Sequence, residues 1–102
     1  MRKQTDLEML QHSAGEAAGM MKLLANENRL LILCQLAAAR EMTVGELTQA
    51  VGLSQSALSQ HLARLRADNL LATRREGQTV RYRIADARVG RILNLLKTIY
   101  CP

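Results

Sequence analysis

The stretch Leu53-Ser54-Gln55-Ser56-Ala57-Leu58-Ser59-Gln60-His61-Leu62-Ala63-Arg64-Leu65-Arg66 decides how the rest of the chain is read. Ser54 carries the hydroxyl a helix N-cap needs, because the N–H groups of a first turn otherwise lack acceptors. Leu58, Leu62 and Leu65 recur at helical spacing and form one apolar face. Gln55, Ser56, Ser59, Gln60 and Arg64 fall largely off that face. Short donor–acceptor side chains crowd the start of the helix and arginines its far end. A helix that enters a major groove has this layout, meeting base edges early and phosphates later. On its own the pattern also describes an ordinary solvated amphipathic helix, so the neighbouring sequence decides.

Upstream, Thr43-Val44-Gly45-Glu46 has the capping-box pattern, in which Thr caps forward and Glu reaches back. Leu47, Ala50 and Val51 supply the inner face of a short helix over 44–51. Gly52 ends it where a left-handed residue is needed. A short helix, a Gly turn and a second helix over 54–67 make a helix-turn-helix. Asp68-Asn69 closes it. Downstream, Leu70–Glu76 and Thr79–Ile84 are strand-like runs joined at Gly77-Gln78, a hairpin over 71–84. Val80, Tyr82 and Ile84 alternate with Thr79, Arg81 and Arg83, so one face packs and the other is basic. Such a hairpin is a wing that can lie along phosphates or in the minor groove. The competing reading is an edge hairpin whose arginines blunt aggregation. Gln55, Ser56, Ser59 and Gln60 are the expected base-edge contacts. Arg64, Arg74, Arg75, Arg81 and Arg83 are expected at phosphates or the minor groove, with Gln78 at the wing tip.

The two ends carry long apolar stripes. Leu7, Leu10, Ala14, Ala17, Met21 and Leu24 form a seam on a first helix over 5–25, widened by Met9 and Met20. The seam can bury against its own domain or a second subunit, and so apolar a terminal helix leans to the second. Ala25-Asn26-Glu27-Asn28 caps a second helix over 27–39. That helix is apolar nearly all round and is expected to be central and buried. Asp86 caps a last helix over 86–100, with Val89, Ile92, Leu93, Leu96, Ile99 and Tyr100 as its stripe and Arg88, Arg91 and Lys97 facing away. The fold class is therefore mainly α with a small β-hairpin: a winged helix-turn-helix, dimerised by its terminal helices. Two recognition helices would then enter successive major grooves, ~34 Å apart.

Composition agrees. The chain has 102 residues, enough for one domain with a modest core. Its formal net charge is +5, which suits a polyanionic partner. It has no Phe or Trp and only Tyr82 and Tyr100. Single-stranded nucleic-acid binders stack bases on aromatic rings, so the preference is for duplex DNA. No run of ~18 apolar residues suggests a membrane span. Met1-Arg2-Lys3 is followed by no continuous apolar segment, so no signal peptide is expected and the protein is placed in the cytoplasm.

The order helix, helix, helix-turn-helix, wing, helix resembles the ArsR/SmtB winged-helix repressors. The matching segments are Leu23–Leu33, Val44-Gly45-Glu46-Leu47, Leu53–Leu62 and Leu65-Arg66-Ala67-Asp68-Asn69-Leu70-Leu71, so the resemblance covers nearly the whole chain. One metal-sensing group of that family has Cys-x-Cys in the first helix of the helix-turn-helix; the equivalent Val44–Ala50 has no cysteine. Another has His and carboxylate ligands on the last helix, which here has Asp86 but no histidine. His12 and His61 stand without a ligand set, and His61 is expected to pack beside Leu58 and Leu62. No metal and no other cofactor is expected.

Two cysteines remain, Cys34 on the second helix and Cys101 at the end of the last. In a reducing cytosol they are thiols by default. With the ending Ile99-Tyr100-Cys101-Pro102, they resemble the persulfide-sensing subgroup that includes BigR, SqrR and HlyU. The resemblance implies a repressor that binds operator DNA when reduced. Reactive sulfur species, as inducer, bridge Cys34 and Cys101 through a di- or tetrasulfide, and the protein leaves its operator. It equally admits a HlyU-like activator that displaces a silencer. Against it stands a simpler reading of Cys34 as a small buried hydrophobe and Cys101 as an incidental tail thiol. An enzyme that handles persulfides would need a base or oxyanion donors around an exposed cysteine; no such set is seen, and no enzyme is expected.

Overall fold

Each described helix after the first begins on a side chain that satisfies its free amides. The computed structural model describes residues 2–101, with side chains from Thr5 onward. Met1 and Pro102, which belong to the two terminal motifs noted above, lie outside the described residues. The first helix, α1 (Arg2–Leu24), leads into α2 (Glu27–Ala39). Asn26 Oδ1 accepts the Arg29 N–H at 3.0 Å. Arg29 Nε in turn donates to the Leu23 carbonyl at 2.7 Å, which pins the last turn of α1 to the first of α2. The capping box of α3 (Val44–Val51) is complete. Thr43 Oγ1 accepts the Glu46 N–H at 3.2 Å, and Glu46 Oε1 accepts the Thr43 N–H at 2.8 Å. Gly52 ends the helix at φ 71°, in the left-handed region where a Cβ is strained.

The recognition helix, α4 (Gln55–Ala67), is capped by Ser54, whose hydroxyl accepts the Ala57 N–H at 3.2 Å. It closes on Asn69 at φ 64°. The Leu70 N–H reaches the Leu65 carbonyl at 2.9 Å and the Asn69 N–H reaches that of Arg66 at 3.0 Å. These two bonds are a Schellman motif, and Leu65 and Leu70, both buried, supply its apolar contact. Asp86 caps α5 (Ala87–Tyr100), accepting the Arg88 N–H at 2.9 Å. Ser54 and Asp86 lie just outside the helices, so the expected starts at 54 and 86 are cap positions.

The wing pairs β2 (Leu71–Glu76) with β3 (Thr79–Ile84), antiparallel, with Leu71 opposite Ile84 and Glu76 opposite Thr79. A strand that the sequence reading did not include, β1 (Met42–Thr43), joins the free edge of β3, giving the order β1-β3-β2. Two residues are too short for alternation to reveal. Before β1 the chain turns sharply. Arg40 has φ 73° and ψ −52°, and the Glu41 N–H donates to the Ala39 carbonyl at 2.9 Å. That is a γ-turn of the rarer, strained hand.

The core is leucine-rich: Ile32, Leu33, Leu36, Leu47, Leu58, Leu62, Leu65 and Val89 are fully buried. Two expectations change. The second helix is central, but it is not buried all round, because Leu31 and Cys34 are exposed. Its neighbours cover only one side of it. The first helix starts at Arg2, earlier than expected, and most of its seam is uncovered: Leu7, Met9, Leu10 and Met21 are exposed and only Leu24 is buried. The molecule is consequently elongated, with extents of 54 × 31 × 21 Å and a radius of gyration of 15.5 Å. A compact domain of this length has ~13 Å. Among the described residues, no helix is long and apolar enough to cross a membrane.

Candidate nucleic-acid interface and thiol pair

Gly52 and the Ser54 cap aim α4 away from α3, with Leu58, Leu62 and Leu65 locked into the core. Gln55, Ser56, Ser59, Gln60 and Arg64 are all exposed. Ser56 Oγ lies 3.4 Å from Ser54 Oγ. The side chains of Gln55, Ser59 and Gln60 have no hydrogen-bond partner among the described residues. His61 is half-buried at the edge of the leucine face.

The wing register sorts its arginines. Residues paired across an antiparallel ladder share a face. Arg74 opposes Arg81 and Ala72 opposes Arg83, which puts Arg74, Arg81 and Arg83 on one face. Arg75 opposes Val80 and lies on the other. The three-arginine face is not bare cation. Arg74 donates to Glu41 through Nη2 at 2.8 Å and Nε at 3.1 Å, a forked pair reaching from the end of α2. It also meets Glu76 at 3.4 Å, and Arg81 meets Glu76 at 3.3 Å. The bond from Arg74 holds the Glu41 carboxyl below its ordinary range, and those from Arg81 and Arg74 do so for Glu76. The side chains of Arg75, Arg83 and Gln78 have no hydrogen-bond partner among the described residues. Arg64 bonds Asp68 at 3.1 Å on the outer side of α4. Sequence reasoning missed Glu41, which looked like part of a loop exit. It also left Arg66 out of the contact set.

Of the two thiols, Cys34 lies on α2 and Cys101 at the C-terminal cap of α5. Both cysteines are free and exposed, so Cys34 is not the buried hydrophobe of the simpler reading. Enough chain packs around its sulfur for partial burial to push the thiol pKa up, and a charge on Cys101 adds to that shift. Among the described residues, no group of three or more His, Cys, Asp or Glu side chains is placed to hold a metal.

Five helices, a helix-turn-helix and a three-stranded sheet with a basic hairpin define a winged-helix transcription regulator. The family model for bacterial regulatory proteins of the arsR family matches residues 26–73. The HTH-type transcriptional regulator YgaV of Escherichia coli is 45% identical over 96% of this chain and 99% of its own length. Transcriptional activator HlyU of Vibrio cholerae is 46% identical over 94% and 88%. The solved structure of reduced HlyU superposes with a TM-score of 0.82, covering 93% of this chain and 98% of that one. The transcriptional repressor BigR of Xylella fastidiosa gives 0.87 at 37% identity, over 93% and 96%. The chain belongs to the arsR family.

Proposed function

We propose that this protein is a homodimeric repressor that holds operator DNA when reduced and releases it when Cys34 and Cys101 are bridged by sulfur. The observation that carries the reading is that both cysteines are free, exposed thiols, Cys34 on α2 and Cys101 at the C-terminal cap of α5, with the charge of Cys101 acting on Cys34. The chemistry balances. A thiolate attacks the terminal sulfur of an organic persulfide, gains it as a protein persulfide and expels the organic thiolate. The second thiolate attacks the inner sulfur of that persulfide, closes a disulfide and expels hydrosulfide. A bridge between α2 and α5 would shift the terminal helices against each other, and with them the spacing of the two reading heads. In the reduced dimer, Gln55, Ser56, Ser59 and Gln60 face base edges. Arg64, Arg74, Arg75, Arg81, Arg83 and the tip residue Gln78 face the backbone or minor groove. Arg64 and Arg74 would exchange exposed carboxylate partners for phosphates.

The test is operator affinity of the reduced protein and of the same protein after a persulfide donor, with intact mass on both samples. Loss of binding together with a Cys34–Cys101 bridge is expected, read as the loss of two hydrogens for a disulfide or as added sulfur mass for a longer polysulfide bridge. Unchanged binding despite full modification would sink the sensor. An activator with the same switch is the second reading, favoured by the name of HlyU. A promoter fusion separates the two, since deletion of a repressor raises expression and deletion of an activator lowers it. A thiol enzyme is disfavoured because its nucleophile needs a base or oxyanion donors around it, and neither thiol has a hydrogen-bond partner among the described residues.

A further inference from the structure

Between α4 and β3 lies a hollow of about 430 Å3 lined by Ser59, Ala63, Arg66, Ala67 and Tyr82. Ser59, Ala63 and Arg66 are at i, i+4 and i+7, stacked along the flank of α4 that faces the wing. The alanines keep its floor open, and no acidic side chain lines it. Three of the lining residues carry polar groups, from two elements: Ser59 and Arg66 on α4 and Tyr82 on β3. None of these side chains has a hydrogen-bond or ion-pair partner among the described residues. Arg64 makes the contrast. It lies on another side of the same helix, bonds Asp68, and lines a separate hollow against α1 together with Glu16 and Arg88. So of the two arginines on α4, one is satisfied within the fold and the other, without a side-chain partner, lines a hollow shared with two hydroxyl-bearing residues.

A forked cation with two neutral O–H donors, free of any carboxylate, is a donor set for phosphate oxygens. We propose that this hollow seats one phosphate of the DNA backbone, gripped by Arg66 with Ser59 and Tyr82. The proposal rests on the winged-helix reading and deepens it. Arg66 and Tyr82 join the interface, and Ser59 passes from base reader to phosphate ligand. The seat fixes the strand that runs between recognition helix and wing, and so sets the depth at which Gln55, Ser56 and Gln60 meet base edges.

The experiment uses the full, reduced protein, a duplex carrying its own promoter region and a scrambled duplex, titrated across salt. Arg66→Gln should weaken both duplexes by the same factor and lower the slope of log K against log salt by about 0.9, the value of one phosphate contact. Arg66→Lys should restore the slope. Tyr82→Phe should weaken both duplexes several-fold and leave the slope alone, because a neutral donor displaces no counterion. Arg91→Gln removes the same charge from the exposed side of α5 and should change neither quantity. The proposal is overturned if Arg66→Gln matches Arg91→Gln, or if it weakens the promoter duplex alone, which would make Arg66 a base reader. Wild-type protein that binds neither duplex would overturn the DNA-binding reading, and the seat with it.

Discussion

Glu41 sits where a strained turn delivers it onto Arg74, and its carboxylate neutralises part of the wing's basic face. Removing that charge leaves Arg74 only the longer contact to Glu76, at 3.4 Å, to compete with phosphate. Glu41→Gln should therefore raise DNA affinity several-fold at low salt and steepen the salt dependence. Weaker binding would mean instead that Glu41 holds the wing in its working position. The same carboxylates predict the acid limb of stability. Glu41, Glu46, Glu76 and Asp86 are all held below their ordinary range: by Arg74, by the Thr43 N–H, by Arg81 and by Arg88 respectively. A lowered folded pKa adds stability that is present above the unfolded value, ~4 for these groups, and is lost as pH falls through the folded value. Urea midpoints should stay flat in this respect from neutral pH down to about 5 and fall below about 4, modestly because these carboxylates are exposed. A midpoint that rises on acidification would contradict the pairing. For Cys34 the sign is opposite. Its raised pKa keeps it a thiol at neutral pH, so its alkylation should be slow there and accelerate at a pH above the ordinary thiol range. Cys101→Ser should lower that midpoint part of the way, because burial is the larger cause. A midpoint indifferent to Cys101 would separate the two sulfurs.

At the scale of elements, the reading head depends on a single turn. Gly52 at φ 71° has open space around the position of a Cβ, so only backbone conformation opposes a side chain there. Gly52→Ala should cost about 1–2 kcal/mol, measured as a drop in urea midpoint, and Gly52→Asn less. Equal losses would point to a clash that the open space rules against. The elements whose ends are written in side-chain chemistry were legible in the sequence: the capping box at Thr43, the caps at Ser54 and Asp86, the stop at Gly52 and the hairpin at Gly77. The elements made by tertiary contact were not. Thr43 caps a helix and also pairs with Arg81 as part of β1, and nothing local marks that second role. The turn at Arg40 breaks the rule that glycine takes positive φ, so no residue type announces it. Cys34 looked buried because its helix is apolar all round, whereas burial depends on which neighbours arrive. For the interface, residue type identified the arginines but not their partners. The forked bond from Arg74 to Glu41 spans 33 positions. The difference between Arg64 and Arg66 lies in which hollow each lines.

The whole molecule leaves its terminal helices unfinished. Leu10 is 60% exposed, Ile99 58% and Tyr100 76%, on helices whose other faces are fitted to the core. Burying a leucine or isoleucine side chain contributes about 1.5–3 kcal/mol, and both terminal helices leave several such groups uncovered. In the proposed dimer a second copy covers them, since under closed symmetry one self-complementary patch serves both chains. Leu10→Glu and Ile99→Glu lie outside the core cluster, so each should keep its fold while shifting the chain to monomer in sedimentation. DNA binding should collapse in parallel, because one reading head alone loses the second half-site and the avidity of the linked pair, a factor of about 10²–10⁴. The combination matters more than either result. A monomeric variant with undiminished operator affinity would show that a single winged helix suffices, and a thiol bridge acting on the spacing between two heads would then have nothing to act upon.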